Sequence, residues 1–238
     1  MKIAVMGDVH SNIFALNSVL KDIENQKVDF IISTGDLVGY MPFPNEVINT
    51  LRNHKILAIQ GNHDKAIAQS QPVQDEMIES LPNEAIQKSA SAIFTNWTLT
   101  DENRSYLANL PTTVQIHCNG FKLSVVHGSP KAVGEYLYED KEKLDVLAEE
   151  METDILVCGH THVPYHYTTK GKHFINAGSV GKPKHGDCQA TYVIVEIKAS
   201  QVKSQIIKVP YEVELMVKAI LENPMIDDGL IPMLQQGF

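Results

Sequence analysis

Residues 55–64 read KILAIQGNHD, an apolar run closed by Gly61, Asn62, His63 and Asp64. A surface turn accounts for such an ending, because glycine, asparagine and aspartate are ordinary turn residues. The alternative is that the strand end binds a ligand, and the rest of the chain decides between the two. Four more apolar runs stop in the same way. KIAVM (2–6) leads into Gly7-Asp8-Val9-His10, and VDFIIS (28–33) leads to Gly35-Asp36. FKLSVV (121–126) leads into His127, and DILVC (154–158) into Gly159-His160-Thr161-His162.

Helical patterns separate the early runs. Ile13, Leu16, Val19, Leu20 and Ile23 recur at helical spacing, and PFPNEVINTLRN (42–53) carries Pro44 near a first turn. Strands alternating with helices predict βαβ units and a mostly parallel sheet, buried on both faces. Residues 65–111 read as a helical insertion within one domain spanning 1–238. Asn119-Gly120 marks a hairpin between TTVQIH and FKLSVVH. KEKLDVLAEEME is helical, KHFINAG, ATYVIVEIKA and VKSQIIKVPY are strands, and YEVELMVKAILEN is a last helix.

In a parallel α/β sheet the carboxyl ends of the strands share one edge, where ligands bind. The strand-end groups would therefore meet there. Asp8 and His10 are two residues apart, as are His160 and His162, and in extended chain such pairs point to one side. Singly, each aspartate reads as a cap and each histidine as a structural residue. Together, Asp8, His10, Asp36, Asn62, His127, His160 and His162 make seven oxygen and imidazole donors without a thiolate. That set suits Mn²⁺, Fe or Zn²⁺, and is too large for one tetrahedral ion. Two ions sharing a carboxylate would use it. His54, His117, His166 and His173 stand in no motif, and His185 is undecided.

Composition sets the limits. The 238 residues are 43% hydrophobic and carry a net charge of −9, so nothing general draws the chain to nucleic acid or an anionic membrane. A nuclease would want a basic groove, and the lysines form no such run. The three cysteines, Cys118, Cys158 and Cys188, include no C-x-x-C pair. That fits a reducing cytoplasm, with Cys158 a small core residue. The opening MKIAVMGDVH is too short and too soon broken for a signal peptide, and no run approaches a membrane span.

D-x-H, G-D, G-N-H-D, a lone histidine after a strand, and G-H-x-H, in that order, resemble the calcineurin-like metallophosphoesterase superfamily. GDLVGYMPFPNEVI, VHGSP and NAGSVGKP resemble its small bacterial and archaeal phosphodiesterase branch. The resemblance implies an α/β/β/α sandwich of two sheets, with the strands of 172–211 in the second sheet. It implies a first metal held by Asp8, His10 and His162, a second held by Asn62, His127 and His160, and Asp36 bridging them. His63 would face substrate and leaving group as the catalytic residue.

The implied reaction is hydrolysis of a small nucleotide-like phosphate ester by a hydroxide bridging two divalent ions ~3.5–4 Å apart. Two such ions outweigh the two aspartates and attract phosphate locally, despite the acidic chain. Asp64 would orient His63 or cap the following helix, with the cap preferred.

Departures from the family bear on substrate. Protein Ser/Thr phosphatases carry G-D-x-x-D-R-G at the second motif, whereas Gly39 and Tyr40 here replace its second aspartate and its arginine. Tyr40, Lys182 and Lys184 are candidate substrate contacts, against a packed tyrosine and solvated loop lysines. A dinucleoside polyphosphate hydrolase, a phosphomonoesterase and a non-catalytic scaffold of the same fold stay open as alternatives. The oligomeric state is left open as well.

Overall fold

The computed structural model describes residues 1–80, 83–199 and 201–238. In chain order the strands are β1 (Lys2–Met6), β2 (Phe30–Ser33), β3 (Leu57–Ala58), β4 (Thr113–Cys118), β5 (Phe121–Val126), β6 (Ile155–Cys158), β7 (Tyr165–Thr169), β8 (Lys172–Asn176), β9 (Ala190–Lys198) and β10 (Gln201–Val209). The helices are α1 (Ile13–Glu24), α2 (Pro44–Asn53), α3 (Asn62–Gln69), α4 (Asp75–Ser80), α5 (Asn83–Thr98), α6 (Asp101–Ala108), α7 (Lys141–Glu150), α8 (Val213–Leu221) and α9 (Leu230–Gln236).

Strand alternation builds the layers. Ile3 and Val5 of β1, Ile155 and Val157 of β6, Ile175 of β8 and Val193 and Val195 of β9 join one core between two sheets. Ala4 and Met6, the other face of β1, pack with Leu16, Val19 and Leu20 of α1 and Val47, Ile48 and Leu51 of α2. Leu156 and Cys158 of β6 and Phe174 of β8 pack with Leu144 and Leu147 of α7. The result is helix, sheet, sheet, helix, as the resemblance implies. No helix among the described residues is long and apolar enough to cross a membrane.

The sheet orders are β10-β9-β1-β2-β3 and β4-β5-β6-β8-β7. Two expectations are corrected here. The sheets are mixed rather than mostly parallel: β1-β2, β2-β3, β5-β6 and β6-β8 pair in parallel, and the other ladders are antiparallel. The strands of 172–211 also divide between the sheets. β8 lies in the second, while β9 returns antiparallel to β1 and brings β10 onto the first. Val193 and Val195 then face the inter-sheet core, and Tyr192 and Ile194 face the helices.

The opening stretch is also shorter as a strand than its apolar run. Only Leu57 and Ala58 pair with β2, and Leu57 at this edge is 51% exposed. The hairpin at Asn119-Gly120 forms as expected, with both residues at positive φ (47° and 84°). α3, α4, α5 and α6 fall between β3 and β4, and α3 starts within the motif itself, at Asn62. β7 and α9 were not expected from the sequence.

Candidate metal centre

Parallel β1, β2 and β3 in one sheet, and β5 and β6 in the other, bring the five polar strand ends to one edge. Backbone hydrogen bonds then join the loops. The N–H groups of Asp8, His10 and Ser11 donate to the carbonyls of Gly35, Asp36 and Leu37 at 2.9–3.0 Å. Gly159 N–H donates to the His127 carbonyl at 2.8 Å.

The side chains converge by a route other than the extended pleat expected from the i, i+2 spacing. Asp8, His10, Asp36, His160 and His162 all have φ between 48° and 64°. Left-handed backbone at a non-glycine residue costs free energy and persists only where surroundings enforce it. Here the loop-to-loop hydrogen bonds enforce it, and each turn swings its side chain over the sheet edge.

Three groups of ligand atoms result, each with all members within 4.8 Å of one another; two of them, Asp8 with His10 and His162, and Asp36 with His127 and His160, hold six of the expected donors. Asp36 Oδ2 lies 3.3 Å from His127 Nε2 and 3.8 Å from His10 Nε2, between the two groups. Asn62 Oδ1 is 2.9 Å from His127 Nε2. All seven expected donors are thus brought together.

Each histidine turns its other nitrogen to a backbone carbonyl. Nδ1 of His10 faces Val38 O at 3.2 Å, Nδ1 of His127 faces Thr34 O at 2.8 Å, and Nδ1 of His162 faces Lys182 O at 2.5 Å. His160 uses Nε2 instead, 3.1 Å from Gly134 O. Carbonyls only accept, so this network assigns an N–H to each of those nitrogens and turns each ring's other nitrogen inward, where a neutral ring offers a lone pair.

That assignment tests whether a cation fits. His10 Nε2 and His162 Nε2 stand 3.1 Å apart, with Asp8 Oδ1 3.2 Å from the latter. Three lone-pair donors meet at one point, the arrangement a divalent ion satisfies. Around His127, burial opposes the charged ring, but Asp36, with smaller help from Asp8 and Thr34, raises it to about 9. The protonated ring donates to Asn62 Oδ1, and a cation would satisfy the same acceptors. Burial also opposes the charge of Asp36, yet His127 and then His10 hold its carboxyl well below the usual range. Burial keeps His10 itself neutral, far below its ordinary value.

His63 stands half-buried beside the donors, its ring centroid 5.0 Å from His10 and 4.9 Å from Tyr40. A ring nitrogen of His63 lies within 4.8 Å of ligand atoms of His10 and Asp36, the third such group. Burial lowers its pKa. A Cβ at Gly39, whose φ is 95°, would lie 2.8 Å from His63 Nδ1. The glycine replacing the phosphatase aspartate therefore backs this ring directly, and leaves it without a carboxylate partner there.

Asp64 is a cap, and more. Its carboxylate accepts from Gly61 N–H at 3.0 Å and from Leu37 and Val38 N–H at 2.8 and 3.2 Å. It locks the Asp36 loop to the start of α3. Burial and the nearby Asp36 push Asp64 up to about 7. Gly61 is needed because a Cβ there would come 2.1 Å from Asp36 Oδ1.

Tyr40 lies 4.7 Å from the His10 ring, and Lys182 Nζ lies 5.2 Å from the Tyr40 centroid. Lys182 is only 5% exposed, so it is not a solvated loop lysine; burial, then Lys184, lowers its pKa to about 8. Lys184 is half-buried on the same loop, its N–H donating to His162 O at 3.4 Å.

Sequence reasoning missed three contributors. Ser179 Oγ donates to Asp8 O at 2.8 Å, and Asn176 Nδ2 donates to Gly159 O at 2.8 Å, so NAGSV braces both metal-facing loops. Tyr136 stacks on His160, with centroids 4.1 Å apart. The pair Tyr136 and Tyr138, two residues apart after VHGSP, was the available signal. The unassigned histidines lie elsewhere: His166 and His173 bond to each other at 3.0 Å, and His185 Nε2 faces Gln189 O at 3.2 Å.

The family model for the calcineurin-like phosphoesterase superfamily domain matches residues 1–200. The chain belongs to the calcineurin-like phosphoesterase superfamily. It is accordingly a phosphoric ester hydrolase of a metal-dependent family. An uncharacterized protein of Methanocaldococcus jannaschii is 32% identical, over 93% of this chain and 92% of its own. A crystal structure of a metallophosphoesterase from Sphaerobacter thermophilus superposes with TM-score 0.83 at 28% identity, covering 100% of this chain and 99% of that one. A hypothetical protein from Pyrococcus horikoshii gives TM-score 0.86 at 25% identity, covering 100% and 98%.

Proposed function

We propose that this phosphoesterase is a dinuclear enzyme that hydrolyses a small nucleotide-like phosphate diester. The observation that carries the reading is the position of Asp36 Oδ2, within 4 Å of histidines from both ligand groups. Asp8, His10 and His162 would hold one ion, Asn62, His127 and His160 the other, and Asp36 would bridge them. Mn²⁺, Fe or Zn²⁺ fit this donor set. Bound there, the ions would supply Lewis acidity and an acidified water nucleophile.

The chain's own residues do the rest. The carbonyls of Val38, Thr34, Gly134 and Lys182 hold the four imidazoles in register, so little reorganisation accompanies reaction. His63, backed by Gly39, presents an N–H to the departing ester oxygen. Lys182 and Tyr40 meet a non-bridging phosphate oxygen, with Lys184 behind them. The absence of the second-motif aspartate and arginine supports a small substrate over a phosphoprotein. The three free thiols support a reducing, cytoplasmic setting.

The test is hydrolysis of bis-p-nitrophenyl phosphate and p-nitrophenyl phosphate by metal-stripped protein with Mn²⁺ restored, beside His63→Ala. Diester cleavage that returns with metal and collapses in the variant supports the proposal. Cleavage of the monoester alone replaces it with a phosphomonoesterase.

A further inference from the structure

The loop 128–140 leads away from His127 and returns to the metal centre at two points. Gly134 O faces His160 Nε2, and the Tyr136 ring lies on the His160 ring, 4.1 Å between centroids and 25° from parallel. Tyr138 continues the series, 5.8 Å from Tyr136 and 8° from parallel. Three rings therefore form an offset ladder from a proposed metal ligand to the surface.

Both tyrosines are half in solvent, at 50% and 51% exposure, and neither hydroxyl makes a hydrogen bond among the described residues. Exposed aromatic surface gathered beside a site is where ligands commonly bind. The loop is also tied down. Ser129 Oγ accepts from Lys131 and Ala132 N–H at 3.0 and 3.2 Å, and the N–H groups of Ser129 and Glu135 both donate to Ala132 O.

On this loop opens a cavity of about 400 Å³. Tyr136 forms one wall; Leu137, Leu147 and Val146 supply apolar surface, and the polar lining is Ser129 with two lysines and two glutamates, Lys131, Lys143, Glu135 and Glu142. Val146 is 56% exposed, an apolar side chain left open on α7. The size and character suit a small planar group: ligand sites are typically of this volume, mostly apolar with a few polar groups.

We infer that Tyr136 and Tyr138, with the adjoining cavity, form a stacking subsite for the planar aromatic part of the substrate, a nucleobase or aryl group. The inference rests on the proposed phosphate-ester chemistry at the neighbouring metal centre and adds the feature that selects the ester. Aromatic rings bind bases of any kind because every base has a π-face, so the subsite selects for aromaticity rather than base identity.

The experiment is equilibrium dialysis of adenosine 5′-monophosphate and ribose 5-phosphate against Mn²⁺-loaded protein. The two share the phosphate and sugar and differ in the base. Wild type should bind the nucleotide about tenfold or more tightly, the scale of one base stack. Tyr136→Leu and Tyr138→Ala should each reduce that ratio, and Tyr136→Phe should retain it. Because the readout is a ratio, a loss of metal through His160 would cancel, and bound Mn²⁺ is measured in every variant. Equal binding of the two ligands by wild type, or a ratio unchanged in both truncations, overturns the subsite. Hydrolysis of bis-p-nitrophenyl phosphate by wild type reports separately on the metal centre, so the subsite can fail while the enzyme reading stands.

Discussion

His10 and His162 bring their Nε2 atoms within 3.1 Å of each other, while their Nδ1 atoms face the carbonyls of Val38 and Lys182. Both inward nitrogens are lone-pair donors, and Asp8 adds a carboxylate oxygen 3.2 Å from His162. Left alone, these groups repel; a shared cation turns the repulsion into ligation.

Metal binding should therefore stabilise the fold. At a free concentration about a hundred times Kd, ligation adds about 2.7 kcal/mol. For a chain of this size that raises Tm by about 5–10 °C. Thermal unfolding of metal-stripped protein, with and without Mn²⁺, checks this. His162→Ala should lose most of the gain.

His63 and the metal donors should separate in their effects. His63→Ala should reduce diester hydrolysis by about 10²–10⁴, the usual contribution of a positioned proton donor, with metal content unchanged. His160→Ala should lower both. Metal analysis beside steady-state kinetics distinguishes them.

Gly39 tests how closely His63 is held. Its φ is 95°, and an added Cβ would stand 2.8 Å from His63 Nδ1. Gly39→Ala should displace that ring and lower kcat while leaving bound metal intact. A wild-type kcat in Gly39→Ala would show that the position of the ring does not matter.

Asp64 joins the GNHD turn to the Asp36 loop through three backbone N–H groups, of Gly61, Leu37 and Val38. Removing a buried acceptor leaves its donors unsatisfied, at about 1–3 kcal/mol. Asp64→Ala should lower stability by about 3 kcal/mol in chemical denaturation and weaken metal binding by loosening Asp36.

Cys158 should be inert. It is buried between β6 and α7, and burial pushes its thiol up to about 12. Alkylation of the native protein at pH 8 should modify Cys118 and Cys188, both half-buried, before Cys158, which reacts on denaturation.

Much of this was legible in the chain. Apolar runs ending in aspartate, asparagine or histidine marked the strand ends, because a parallel sheet collects them at one edge. Sheet membership was not legible: β9 reads as apolar whether it pairs with β1 or β8, and only its register decides. β7 (YHYTT) is an edge strand with a weak apolar pattern, and α9 (LIPMLQQ) is short and contains Pro232. The i, i+2 spacing of Asp8 and His10 pointed to the right partners for the wrong reason, since left-handed turns, not a pleat, converge them. The depth of Lys182 was hidden too, because burial of a loop lysine follows from the loops packed over it.

The most direct measurement of the central claim is diester hydrolysis by the metal-stripped chain as Mn²⁺ is restored, with bound metal counted per chain. The account predicts that activity follows occupancy of two ions and that Asp36→Ala, which removes the bridge, abolishes it. Full activity with a single ion bound, or activity retained in Asp36→Ala, would contradict a dinuclear centre.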